Sequence, residues 1–270
     1  MPGAEWTDDL RLISDAARAA GRVAMGYFGK GARRWTKNDS SPVTEADIEI
    51  DRMLKQRLGA ARPDYGWLSE EIEDDPARLS LRRVFIVDPI DGTRAFVDDE
   101  PGWVVSIAVV EDQAPVAGVL FDPVNDVMWR ASKGGGAWRG EERLAIGMRA
   151  TLAGAHIAAS SKAVRVAGLS ALEHSFRRSF TKSLAHRLAL VACGTFDAAL
   201  AASSASDWDL AAGALLVQEA GGRFSDLAGC AVRFNRPDTQ HPPLVAAGPR
   251  MHAAILAAGK DVGTVTEASE

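Results

Sequence analysis

The sequence predicts a mixed α+β / α/β chain of two lobes, and three observations carry that prediction. Val84-Phe85-Ile86-Val87 is an uninterrupted apolar run with two β-branched valines, of the kind buried on both faces of a sheet. Three further β-rich runs follow at short spacing, as in an antiparallel meander. Beyond residue 155, extended and helical patterns alternate, as in α/β units. A looser stretch at 147–155 divides the lobes, which places an N-terminal lobe at 1–150 and a C-terminal lobe at 151–270.

Taken in order, residues 7–28 read as an amphipathic helix. Leu10, Ile13, Ala17, Ala20, Ala24 and Phe28 recur at spacings of three and four, and Gly29 and Gly31 follow as a stop. The stretch 35–42 is polar and loop-like. Thr44-Glu45-Ala46-Asp47 opens a second helix, continued by Ile50, Met53, Leu54 and Leu58 and ended by Gly59; Thr44 and Asp47 have the spacing of a capping box. A Pro63-Asp64-Tyr65-Gly66 turn leads into a short strand that ends on Glu70-Glu71. The run 84–87 is expected to stop at Asp88 and Pro89, because proline cannot donate to a ladder. The meander is 103–110, 115–121 and 127–131. The Gly-rich stretch 133–140 lacks the G-x-G-x-x-G order and reads as a turn. Further on, 155–159, 196–202, 223–226 and 244–247 read as strands. Residues 183–193, 209–220 and 250–258 read as helices, and those from Gly259 as a frayed tail.

Composition narrows the function classes. The 270 residues are 47% hydrophobic and 25% charged, ordinary values for a soluble globular protein. A net charge of −5 gives no reason to expect a nucleic-acid polymer or a membrane surface as partner. No stretch approaches the roughly 18 consecutive apolar residues of a membrane span. Residues 1–10, with Glu5, Asp8 and Asp9, predict no secretory leader. Cys193 and Cys230 fit a reducing compartment better than a disulfide scaffold. The expectation is a cytoplasmic protein.

Chemistry concentrates at Asp88-Pro89-Ile90-Asp91-Gly92-Thr93. One carboxylate stands at the tip of the buried strand and a second stands around the corner. Hard divalent cations take such oxygen ligands, and the amides of Gly92 and Thr93 can bond an anion. The pattern points to a Mg²⁺-assisted phosphate site; the competing reading is a tight Asp-Gly turn whose carboxylates only cap amides. Asp207-Trp208-Asp209 opens a helix, where an acid either caps free amides or supplies a metal ligand, and spacing does not choose between the two acids. Asp47 reads as the capping partner of Thr44, and Glu70-Glu71 is also readable as the start of an acidic surface loop with Glu73, Asp74 and Asp75.

Other chemistries are weaker. Cys230 and Arg236 have C-x5-R spacing, but the intervening residues lack the glycines that wrap a phosphate. Asp88 and Asp91 are three apart, where aspartyl-phosphate phosphatases need D-x-D. His156, His174, His186, His241 and His252 show no zinc-ligand spacing, and no G-x-S-x-G elbow exists.

The D-P-I-D-G-T run resembles a signature of the inositol monophosphatase superfamily, the Mg²⁺-dependent, lithium-sensitive phosphomonoesterases. Trp208-Asp209-Leu210-Ala211-Ala212-Gly213 with Glu219-Ala220-Gly221-Gly222 is similar to its second signature. Glu70-Glu71 and Thr44-x-x-Asp47 match two further elements, so four motifs in order cover about 37 to 222. The resemblance implies a layered αβαβα sandwich with the site between the lobes. It implies two or three Mg²⁺ ions held by Glu70, Asp88, Asp91, Asp209 and the carbonyl of Ile90. It makes Asp47 and Thr93, with Glu70, the catalytic set around the attacking water, and Asp91, Gly92, Thr93 and Asp209 the substrate contacts. The implied partner is a small-molecule phosphate ester, and a homodimer is consistent with the resemblance.

The branch within the family is read from flanking residues. An acid that contacts inositol in the inositol phosphatase branch is replaced by Ala202. Ser206-Asp207-Trp208-Asp209 and Lys182-Ser183-Leu184 resemble the 3'(2'),5'-bisphosphate nucleotidases, while Arg94-Ala95-Phe96 resembles the histidinol-phosphatase branch. The order of expectation is adenosine 3',5'-bisphosphate, then inositol 1-phosphate, then histidinol phosphate, with a catalytically silent binding or regulatory member as the non-enzyme alternative. Lys162, Arg165, Lys182 and Arg187 are candidate cations without an assigned role.

Overall fold

Val84 and Ile86 face one way from their strand and Phe85 and Val87 the other, and all four are buried, in two different cores. That alternation places the strand between helical layers on both sides. The computed structural model describes residues 4–36 and 42–266, and side chains up to residue 259. The strand is β2 (Arg83–Asp91) of a seven-stranded sheet. It follows β1 (Gly66–Ser69) and precedes β3 (Val104–Glu111), β4 (Ala114–Asp122), β5 (Val127–Ser132), β6 (Gly136–Arg139) and β7 (Glu142–Arg143). The strands lie in chain order, β1 parallel to β2 and the rest antiparallel. The meander read from the sequence is therefore present.

Helices α1 (Thr7–Tyr27) and α2 (Glu45–Ala61) cover one face. Their apolar stripes, Ile13, Ala17, Ala20 and Ala24 on one and Ile50, Leu54 and Leu58 on the other, pack on Phe85, Val87, Ile107 and Val109. Helix α3 (Thr93–Val97) is one short turn after β2. A second sheet has the order β9-β8-β10-β12-β11, made of β8 (His156–Ala158), β9 (Arg177–Ser179), β10 (Ala198–Ala201), β11 (Arg223–Asp226) and β12 (Leu244–Ala247). Helices α5 (Leu184–Ala192) and α6 (Asp207–Glu219) lie between the two sheets, where Leu188, Leu215 and Leu216 meet Ile86 and Leu120 on one side and Phe224 and Ala246 on the other. Helices α4 (Ser161–Val166) and α7 (Pro249–Thr266) cover the far face with Val164, Met251 and Ile255. The layers are therefore αβαβα. Among the described residues no helix is long and apolar enough to cross a membrane.

Several boundaries differ from the sequence reading, for identifiable reasons. The central strand does not stop at Asp88 but runs on to Asp91. Its pairing steps from Asp88↔Ser106 to Asp91↔Val104, so Pro89 and Ile90 occupy a bulge, where a missing N–H costs no ladder bond. Helix α2 continues past Gly59 to Ala61. The stretch 133–140 is a turn and then β6, held because Ala137 is buried in the central core. Within 35–42, Arg34–Thr36 pairs with Pro42–Thr44 as a small ribbon, and 37–41 lie outside the described residues. Helix α6 starts at Asp207, two residues early, and α7 extends beyond 258 to Thr266 over part of the expected tail, whose residues 267–270 lie outside the described residues. Helix α4 and strand β9 carry no strong periodic signal in the sequence.

Candidate active site

The bulge in β2 aims two carboxylates at one point. Asp88 accepts the Ile90 amide at 2.9 Å, which closes the bulge, and Thr93 Oγ1 donates to the Ile90 carbonyl at 3.1 Å. Gly92 then turns the chain with φ +97°, a left-handed conformation. A Cβ there would lie 3.0 Å from Ser183 Cβ and 3.3 Å from the Trp103 backbone, so the turn also needs glycine for space. Asp91 is received by the start of α5, where its carboxylate accepts from Ser183 Oγ at 2.5 Å and from the Ala185 amide at 2.6 Å.

Helix α6 supplies the third carboxylate and settles which acid of Asp207-Trp208-Asp209 faces inward. Asp209 accepts the Ser206 amide through Oδ2 at 2.7 Å, and its carboxylate joins those of Asp88 and Asp91, with one oxygen from each within 4.8 Å of the others. Asp207 turns away, its Oδ1 lying 2.6 Å from His241 Nε2. The same economy holds at α2. Asp47 Oδ2 accepts from the Thr44 amide at 2.8 Å and from Thr44 Oγ1 at 2.6 Å, while Oδ1 lies 3.5 Å from Thr93 Oγ1. Capping and site duty are not alternatives here, because each carboxylate has two oxygens. Glu70, whose amide hangs from the Val87 carbonyl at 3.3 Å, lines the same cleft of about 490 Å³.

Of the candidate cations, Arg187 is the one buried beside the site, where its charge acts on Asp91 and Asp209. It is 8% exposed, its Nε donates to the Ser183 carbonyl at 3.2 Å, and its guanidinium lies 4.9 Å from the centre of the Phe180 ring. Lys182 lines the cleft but is spanned by Asp98 at 2.5 Å and Glu100 at 2.7 Å, and Lys162 and Arg165 are exposed on α4. Sequence reading did not find Ser183 as the partner of Asp91 or Phe180 as a cleft wall. A Ser at the first turn of a predicted helix was the available signal for Ser183; Phe180 has none.

Burial, and then the charges of Glu70, Asp91, Asp209 and Asp47, push the Asp88 carboxyl well above the usual range. Burial and then Asp91 do the same to Asp209. Asp91 is pushed up to about 6, burial outweighing the Ser183 and Ala185 hydrogen bonds and the attraction of Arg187. Four carboxylates face Arg187, Arg94 and Lys182 on the cleft wall, and Lys182 is already held by Asp98 and Glu100, so acid outweighs base in the cleft. The donor set is all oxygen and mostly carboxylate, which fits Mg²⁺ or a similarly hard divalent ion and does not suit a thiophilic one.

Residues 6–263 match the inositol monophosphatase family. The chain belongs to that family. It is similar to the inositol-1-monophosphatase of Rhizobium meliloti (strain 1021), 36% identical over 232 residues that cover 82% of this chain and 86% of that protein. It is equally similar to the histidinol-phosphatase of Mycobacterium tuberculosis, 36% identical over 237 residues, 83% of this chain and 89% of that one. A 3'(2'),5'-bisphosphate nucleotidase CysQ of Aggregatibacter actinomycetemcomitans is 29% identical over 243 residues, 85% and 88% of the two chains. Among solved structures, the extragenic suppressor protein suhB from Bartonella henselae superposes with a TM-score of 0.84 at 28% identity, covering 94% of this chain and 99% of that one. The layered fold and the acidic cluster are those of a metal-dependent phosphomonoesterase of the inositol monophosphatase family. The placing of the chain nearest the nucleotidase branch is not supported by identity, since relatives named for three different substrates match it at 29% to 36%.

Proposed function

We propose that this phosphatase hydrolyses a small phosphate ester that carries a second anionic group, with adenosine 3',5'-bisphosphate as the first candidate. The observation that carries the choice is Arg187. A guanidinium that is 8% exposed, in a cleft whose carboxylates a divalent metal would neutralise, is a receptor for an anion beyond the one at the metals. Two features support a nucleotide over inositol. Position 202, on the cleft wall, is alanine and offers no acceptor to a sugar hydroxyl. Phe180, 53% exposed on the same wall and backed by Arg187, offers a flat apolar face to a base.

In this reading Glu70, Asp88, Asp91, Asp209 and the Ile90 carbonyl hold the cations, which when bound supply charge neutralisation at the phosphate and an acidified water. The protein's own groups do the rest. Thr93 Oγ1, 3.5 Å from Asp47 Oδ1, orients the attacking water and passes its proton toward the Asp47 carboxylate. The Gly92 and Thr93 amides, fixed by the left-handed turn, bind the phosphate oxygens. Asp91 is kept in place by Ser183 and Ala185, so the positioning that phosphoryl transfer depends on is built in before substrate arrives.

The test is phosphate release from adenosine 3',5'-bisphosphate, inositol 1-phosphate and histidinol phosphate under the same Mg²⁺ concentration. The nucleotide is expected to have the highest kcat/KM. Arg187→Met is expected to raise KM for it about tenfold or more, with a smaller effect on a substrate carrying a single phosphate. A higher kcat/KM for inositol or histidinol phosphate overturns the substrate assignment.

A further inference from the structure

Glu70 and Asp209 arrive in the cleft from distant parts of the chain, and a buried polar strap outside the cleft connects the two segments that bring them. Arg78, in the turn Pro76–Ser80 that closes the loop after Glu70, is 2% exposed. Its Nε and Nη2 fork onto the Asp74 carboxylate at 2.6 and 2.8 Å. Its Nη1 donates to Asn235 Oδ1 at 2.6 Å, across 157 residues of sequence, and Nη2 also reaches the Arg236 carbonyl at 3.1 Å. Asn235 has φ +53°, a left-handed backbone that asparagine tolerates better than most residues. That twist lets its amide donate to Asp207 Oδ2 at 2.7 Å while its side chain faces Arg78. Asp207 is fully buried, is also held by His241 and by the Thr239 carbonyl, and is the first residue of α6, two before Asp209.

Burying the Arg78 guanidinium and the Asp207 carboxylate is costly before pairing, and an apolar contact would join two loops as well. What the polar strap adds is direction, since the fork on Asp74 and the two bonds at Asn235 fix orientation as well as distance. We propose that Arg78, Asn235 and Asp207 are positioning residues that set the Glu70 loop against the N-terminus of α6, so that Glu70 and Asp209 face the same acidic cleft. The proposal rests on the metal-dependent reading of the cleft. Asn235 is the hub, and its side chain is the part that can be removed without disturbing the backbone.

Two variants test it, with Mn²⁺ binding to the full chain followed by titration calorimetry in the absence of substrate. Asn235→Gly keeps the left-handed backbone and the bond to Asp207 but deletes the acceptor for Arg78. It is expected to bind Mn²⁺ about tenfold more weakly or worse, the size typical of losing a group that orients a metal ligand. Asn235→Asp keeps an acceptor and is expected to bind within about threefold of the unmodified chain. In turnover, Asn235→Gly should need more Mg²⁺ for half-maximal rate while kcat at saturating Mg²⁺ changes little. Unaltered Mn²⁺ affinity in Asn235→Gly overturns the strap while leaving the metal site standing, even if the variant melts earlier. An unmodified chain that binds no Mn²⁺ overturns the metal reading and the strap with it.

Discussion

Asp91 and Thr93 stand two residues apart and have different duties in the proposed mechanism, and substitutions separate them. Asp91→Asn keeps the shape and the bonds from Ser183 and Ala185 in part, but removes a ligand charge from the cluster with Asp88 and Asp209. Turnover is expected to fall at least about a hundredfold, with an unchanged circular dichroism spectrum. Thr93→Ala leaves the carboxylates intact and removes the hydroxyl between Ile90 and Asp47. Here kcat is expected to drop by about two orders of magnitude with Mg²⁺ dependence unchanged, a split that steady-state kinetics at several Mg²⁺ concentrations reads directly. The identity of these residues was legible in sequence because carboxylate-rich motifs are contiguous. The choice of Asp209 over Asp207 was not, since both sit at one helix start and only the partner His241, far along the chain, draws Asp207 away. The capping role of Asp47 does not exclude a place beside Thr93, for a reason that spacing cannot express: Oδ2 caps Thr44 while Oδ1 faces Thr93.

At the level of elements, the site depends on backbone that sequence patterns describe poorly. Proline signals a strand end in most contexts, and β2 instead absorbs Pro89 in a bulge that turns Asp88 and Asp91 into the cleft. The following turn is equally particular. Gly92→Ala would force a Cβ onto φ +97° and into Ser183, so it is expected to destabilise the fold by about 1–3 kcal/mol and to move Asp91 off α5, readable as a lower Tm with a lost Mg²⁺ response. Helix packing makes a similar demand at Gly213 of α6, where a Cβ would lie 2.7 Å from Leu188 Cβ. Gly213→Ala is expected to cost about 1–3 kcal/mol in denaturant unfolding by pushing α5 from α6. Strong periodicity found α1, α2 and the meander. The short elements are held by tertiary contacts that leave no local pattern, α4 by packing on the second sheet and β9 by pairing with β8 at that sheet's edge.

Across the whole molecule, three layers of helix and two sheets converge on one buried negative cluster, and that makes stability depend on pH and metal together. Asp91 is raised to about 6, and Asp88 and Asp209 are raised well above the usual range, chiefly by burial. A carboxyl that binds its proton more tightly folded than unfolded stabilises the fold at low pH. Without metal, that contribution is present below the ordinary carboxylate pKa of about 4 and is lost as pH rises through about 6 and beyond. Divalent cations replace the protons, so the gain in Tm on adding Mg²⁺ is expected to be larger at pH 8 than at pH 5. Differential scanning calorimetry with Mg²⁺ and with a chelator at both pH values checks it; equal gains would mean that the cluster is not the metal site. The layered architecture itself followed from the family motifs and not from periodicity, because no local signal says that α5 and α6 separate two sheets.

The most direct measurement is phosphate release from adenosine 3',5'-bisphosphate titrated with Mg²⁺ after exhaustive chelation, for the unmodified chain beside Asp209→Asn. A metal-dependent phosphatase centred on Asp88, Asp91 and Asp209 gives no turnover when chelated, full recovery on adding Mg²⁺, and little recovery at any Mg²⁺ concentration in the variant. Turnover that survives chelation, or an Asp209→Asn protein that recovers like the unmodified one, would contradict it.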